Sequence, residues 1–201
     1  MRLVCCLLGV VLLSFPMLVD ATEWGNPVDQ VIKQSGAEVV SDVDGNGAER
    51  RRVLLPNDVE ITQTRKGDRI TTFAVDMSGL GAVHCVWMIY VEVAAGYQSC
   101  TQFENAPGVE RVETALSRIE AFMAANSYGL MTREALADAR LKRIARTRSR
   151  SKLAPGERSD CSKGDLLAFV SSIDKQDDRA FFAGVDKVLS VPRFPASAPC
   201  L

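Results

Sequence analysis

The chain has 201 residues, with 24 basic and 25 acidic side chains and a single histidine. A chain of this length suits one domain with a core of its own. With one histidine, a catalytic zinc ion would lack its usual imidazole ligands, and any Ser-His-Asp or Cys-His mechanism would depend on His84. Chemistry based on carboxylates, on Ser with Lys or on an oxygen-ligated metal stays open.

The first 21 residues have the pattern of a secretory signal peptide. Arg2 supplies a positive charge, residues 3–19 form an apolar run, and small residues precede Thr22. The run contains Pro16 and is short for a membrane-spanning helix, which needs about 20 apolar residues. We therefore expect residues 22–201 to form a single exported α+β domain, periplasmic or secreted, without a transmembrane segment.

A short helix over residues 27–34 is followed by a polar turn, DVDGNG, at residues 42–47. The turn begins like a calcium-binding loop, with oxygen-bearing side chains at positions 1, 3 and 5 and glycine at position 6. Its twelfth position is Val53, where a bidentate glutamate belongs. We interpret the segment as a turn before a strand, and we predict no metal site and no cofactor.

Alternating and β-branched residues predict strands over residues 52–55, 59–64 and 69–77. The next stretch, AVHCVWMIYVEV at residues 82–93, is apolar at odd and even positions alike. That pattern favours a central strand covered on both faces, followed by a turn at residues 94–96. Neighbours on a strand point to opposite faces, so His84 and Cys85 would not form a catalytic pair, and His84 is interpreted as structural.

From residue 107 onward the apolar period becomes helical. The sequence predicts helices over residues 109–125, after Thr132 as N-cap, and over residues 163–173 and 177–189. Strands followed by helices indicate an α+β fold. We expect an antiparallel sheet over about residues 50–104 and three or four packed helices over about residues 109–190, stapled by disulfides.

Four cysteines follow the signal peptide, at Cys85, Cys100, Cys161 and Cys200. An oxidising compartment predicts that they form disulfides. Antiparallel packing of the last two helices would bring Cys200 to Cys161, which leaves Cys85 for Cys100. The second pairing is awkward, because a hairpin turn at residues 94–96 would place Cys85 opposite a residue near Asn105.

A basic helix end and linker are expected at about residues 139–160. Residues 22–138 carry a net charge of −7, whereas residues 139–158 carry +7. The cations concentrate in ARLKRIARTRSRSK, at residues 139–152. They are Arg140, Lys142, Arg143, Arg146, Arg148, Arg150 and Lys152.

Two interpretations of this basic block compete. In the first, it is a solvated helix end that lies along the acidic surface of the protein itself. In the second, it docks on an anionic partner such as lipid head groups, a glycan or an acidic protein, and peripheral membrane contact would follow. Export argues against nucleic acid as the physiological ligand.

The sequence leads us to expect an exported, non-catalytic protein that acts through its surface. Binding, inhibitor, adaptor and envelope-assembly roles all fit this expectation. The alternative is an envelope hydrolase that uses paired carboxylates.

Overall fold

The structure, a computed structural model, describes residues 24–103, 105–150, 157–159 and 165–200. The predicted signal peptide, Lys152 and Cys161 lie outside the described residues, and the side chain of Arg150 is not described. After one short helix, four antiparallel strands precede the remaining helices, so the predicted α+β class is confirmed.

Helix α1, Pro27–Ser35, opens the described chain, as predicted. Asn26 caps it: its Oδ1 accepts a hydrogen bond from the Val28 backbone N–H at 2.9 Å, and its own N–H donates to Asp29 at 3.1 Å. Gly36 ends the helix with a φ of 65°, a left-handed conformation that glycine adopts without a steric penalty.

Four strands then form an antiparallel sheet in sequence order. The predicted strands are confirmed, and an unpredicted edge strand precedes them, so the sheet spans residues 38–76 instead of 50–104. One face of the sheet packs with α1 and with the C-terminal segment, residues 190–200, around Val53, Ile61 and Phe194. The other face exposes Phe73. The strands are β1 Glu38–Val43, β2 Glu49–Leu55, β3 Val59–Lys66 and β4 Arg69–Asp76.

The stretch predicted as a central strand is a helix, α2, Val83–Ser99. The strand over residues 82–93 and the turn at residues 94–96 are therefore wrong. Helix α2 is apolar on most sides because α3, α4 and α5 all pack against it. A helix buried on all sides needs no polar face, so its sequence resembles that of a doubly covered strand.

The four later helices confirm the predicted ones, to within two residues at each end for which the sequence predicts a bound. A 3₁₀ turn, Thr101–Phe103, precedes them. Thr132 accepts a hydrogen bond from the Ala135 N–H at 3.2 Å, and Asp177 accepts one from the Ala180 N–H at 2.7 Å, so both act as N-caps. The helices are α3 Gly108–Asn126, α4 Arg133–Arg150, α5 Asp165–Asp174 and α6 Asp178–Val188.

The C-terminal segment, residues 190–200, ties the sheet to the helices. The Asp76 N–H donates to the carbonyl of Ala198 at 2.7 Å, and the His84 N–H donates to that of Ala196 at 3.1 Å. Arg193 forms an ion pair with Asp76 in which neither side chain is exposed. The end of β4 and the start of α2 are thus held by one segment.

A disulfide joins Cys85 to Cys200, with 5.4 Å between the two Cα atoms. Both predicted pairings are therefore wrong, because the chain end runs beside the start of α2. Cys85 and Cys100 stand near opposite ends of that helix, about 22 Å apart at 1.5 Å per residue, too far for a disulfide. Cys100 is itself disulfide-bonded, and its partner is not among the described residues.

Candidate functional site

The basic block lies largely within α4, where Arg140 faces the neighbouring helix α3. Its Nη1 donates a hydrogen bond to Glu113 at 2.8 Å, and its Nε lies 3.3 Å from Glu120 Oε1. Glu120 is only 4% exposed and accepts a hydrogen bond from Trp87 Nε1 at 3.2 Å. Arg140 thus supplies the cation that a buried carboxylate requires.

Two more arginines anchor α4 to α2. Arg143 donates through Nε to Glu92 Oε1 at 2.8 Å. Arg148 donates to backbone carbonyl oxygens, at 3.4 Å to Gln98 and at 3.0 Å to Glu157. On this side of α4 the arginines donate to carboxylate and carbonyl oxygens of the protein itself.

The opposite side of α4 faces solvent. Leu141 is 63% exposed, and Arg146 is exposed as well. The Lys142 side chain is 71% exposed and lies 2.6 Å from Asp138, one helical turn away. We call Leu141, Lys142 and Arg146 the exposed side of α4.

His84 is half-buried at the start of α2, and its ring centroid lies 5.7 Å from that of Trp87. Burial lowers the pKa of His84, and the positive charge of Arg143 lowers it further. The sulfur of the adjacent Cys85 is engaged in a disulfide. A Cys-His nucleophilic pair at these two positions is therefore ruled out by the bonding of Cys85.

One partly buried carboxylate bears on the alternative of a hydrolase. Asp174 accepts hydrogen bonds from the Tyr97 hydroxyl at 2.8 Å and from the Gly108 N–H at 3.0 Å, at the start of α3. Burial raises the pKa of Tyr97, and Asp174 raises it further. A Cβ atom at residue 108 would overlap the Tyr97 hydroxyl and crowd Asp174, so a larger residue there would force these side chains to shift. This carboxylate holds helices together.

The DVDGNG segment covers the end of β1 and most of the β1–β2 turn. Asp44 Oδ1 accepts hydrogen bonds from the N–H groups of Asn46 at 2.8 Å and Ala48 at 2.9 Å, and Asp42 pairs with Arg50 at 2.6 Å. These oxygens are engaged within the hairpin, which confirms the interpretation as a turn. Across the described ranges, no group of three or more His, Cys, Asp or Glu side chains is arranged to hold a metal ion.

A cleft of about 560 Å³ at one end of the sheet was not predicted from the sequence. Trp24 stands beside it, with the guanidinium carbons of Arg51 and Arg65 at 4.6 and 4.9 Å from its ring centroid. The register between β2 and β3 brings these two arginines together, and no motif or spacing in the sequence predicts their proximity. The sheet-end cleft is lined by Trp24, Gly47, Glu49, Arg65, Gly67, Asp68 and Ile70.

No protein-family model, curated protein or solved structure matches the chain. In the described part of the chain, no helix is both long enough and apolar enough to span a bilayer. Functional inference therefore depends on two surfaces, the exposed side of α4 and the sheet-end cleft.

Proposed function

We propose that the protein is an exported, non-catalytic binding protein, periplasmic or secreted, that contacts an anionic lipid surface through the exposed side of α4. The signal-peptide pattern of residues 1–21 supports export. The disulfide between Cys85 and Cys200 supports an oxidising compartment, where such bonds persist.

The observation that carries the proposal is the division of α4 into two sides. Arg140 and Arg143 pair with carboxylates of neighbouring helices, so the helix is anchored on one side. Lys142 and Arg146 stand on the other side together with a 63% exposed leucine, Leu141. Cations next to an exposed apolar residue suit anionic head groups above an acyl layer.

Vesicle binding tests the proposal. The mature protein is mixed with vesicles of pure phosphatidylcholine or with vesicles containing phosphatidylglycerol, and bound protein is measured by sedimentation over a salt series. We expect binding only to the anionic vesicles and steep weakening with salt. Each cation near such a surface contributes about 1 kcal/mol, so Lys142→Ser/Arg146→Ser should weaken binding about 30-fold.

The matched control is Lys175→Ser/Arg179→Ser, which removes two exposed cations at the α5–α6 junction. It changes the net charge equally and should leave vesicle binding nearly unaltered. Neither double variant should change the free energy of unfolding by more than about 0.5–1 kcal/mol. Equal loss of binding in both would show a general charge effect and contradict a specific role for α4.

Leu141→Ser separates lipid from other anionic partners. It should weaken binding to anionic vesicles but leave binding to a soluble acidic polysaccharide unchanged. If the protein bound the polysaccharide and no vesicle, the partner would be a glycan. Export is tested separately, by N-terminal sequencing of the secreted or periplasmic protein, which should begin at Thr22.

A further inference from the structure

The sheet-end cleft lies where the β1–β2 and β3–β4 turns meet. Gly47 and Gly67 have φ values of 75° and 59°, so a residue without Cβ suits both turns. The cleft volume of about 560 Å³ falls within the range of roughly 300–1,000 Å³ that is usual for small-molecule sites. Its walls are set by short turns of a hydrogen-bonded sheet.

Trp24 is held in place at this cleft by contacts on the sheet. The Arg51 side chain is nearly buried, and its guanidinium bonds to Asp29 at 2.5 Å and to Gln63 at 2.7 Å while it contacts the indole. Arg65 contacts the same ring and pairs with Glu49. Two fixed guanidinium groups therefore orient an indole that remains partly exposed.

The charges around the cleft restrict what can bind there. Glu49 and Asp68 both line it, whereas Arg65 is the one cation among its lining residues and pairs with Glu49, so a free anion would meet a net negative charge. The indole already carries two guanidinium groups, so a cation would be repelled from the ring. A neutral molecule with hydroxyl groups and one apolar face meets neither obstacle.

We propose that the sheet-end cleft is a binding site for a neutral sugar. A pyranose ring lies with its apolar face against Trp24. Its hydroxyl groups donate hydrogen bonds to Glu49 and Asp68 and accept one from the Arg65 guanidinium. This site is separate from the exposed side of α4, and neither depends on the other.

The two tryptophans of the chain allow a direct test. Trp87 is 5% exposed in the helical core, and Trp24 is at the cleft. In Trp87→Phe, all indole emission comes from Trp24. Titration with maltose, cellobiose or N,N′-diacetylchitobiose should change that emission saturably for at least one sugar.

Calorimetry on the unmodified protein provides the second measurement and does not require Trp87→Phe to fold. Trp24→Ala should weaken binding of the same sugar at least about tenfold, which corresponds to about 1.4 kcal/mol. Phe73→Ala, at an exposed aromatic on the other face of the sheet, is the matched control and should bind as before.

Several results would overturn the proposal. One is the absence of saturable heat with all three disaccharides up to their solubility limits. Another is sugar binding that Trp24→Ala leaves intact, because the ligand would then lie elsewhere. Preferential binding of glucuronate or choline over the neutral sugars would refute the inference from charge.

Discussion

The buried ion pair between Arg193 and Asp76 should be the most sensitive single contact in the fold. Arg193 Nε donates to Asp76 at 2.6 Å, and its two Nη atoms donate to carbonyl oxygens of Gly81, Val188 and Val191 at 2.7–3.0 Å. Neither charged side chain is exposed. The contact joins the end of β4 to the C-terminal segment.

We expect Arg193→Met to destabilise the protein by about 3–5 kcal/mol, because it leaves the Asp76 carboxylate buried without its cation. Domains of this size have total stabilities of about 5–15 kcal/mol, so the loss is a large fraction. With roughly 2–4 °C per kcal/mol, the melting temperature should fall by about 6–20 °C. Urea denaturation and calorimetry of the oxidised protein measure both quantities.

The control is Arg118→Met, which breaks an ion pair with Asp186 in which both side chains are about half-exposed. Exposed pairs contribute about 0–1 kcal/mol, so this variant should unfold close to the wild type. If Arg193→Met lost less than about 1 kcal/mol, or no more than the control, the buried pair would not hold the two parts of the fold together.

Three further outcomes are expected. In urea denaturation, Gly108→Ala should lower the free energy of unfolding by about 1–3 kcal/mol, because the added Cβ overlaps the Tyr97 hydroxyl. Gly184→Ala, where a Cβ meets nothing within 4 Å, should raise the free energy of unfolding by about 0.5–1 kcal/mol. Burial lowers the pKa of His84 in the folded protein, so the unfolded chain binds the proton more readily. The free energy of unfolding should therefore have its full value above the ordinary histidine pKa of 6.5 and decrease as the pH falls below it. His84→Gln should remove this decrease. Peptide mapping should link Cys100 to Cys161, since the other two cysteines after the signal peptide are joined to each other.

Local patterns were sufficient for most of the elements. Alternation over β2 and β3 reflects a sheet with one covered face, and helical spacing over α3 reflects one apolar stripe. The N-caps of α4 and α6 follow from the side-chain chemistry of Thr132 and Asp177. Each of these signals depends on residues close in sequence.

Helix α2 could not be recognised in the same way. Periodicity distinguishes helix from strand only where one side is polar, and α2 is covered by three other helices. Its length of 17 residues is the better criterion, since strands are usually about 3–10 residues long. The disulfide error has a separate origin: packing of the last two helices predicts Cys200 beside Cys161 and leaves Cys85 for Cys100, whereas the chain end runs beside the start of α2.

The basic block shows how much of the role of a charged segment can be predicted from the sequence alone. The apolar stripe of α4 contains Leu136 and Ile144, and helical spacing places Arg140 and Arg143 on that same side, with Lys142 and Arg146 on the other. The division into anchoring and exposed cations was therefore available from the sequence once α4 was recognised as continuous through the block. The acidic partners of these arginines could not be predicted from the sequence, because they lie on other helices and only packing brings them to the arginines. A run of seven cations consequently overstates the charge that α4 presents to a partner, because part of it balances carboxylates inside the fold.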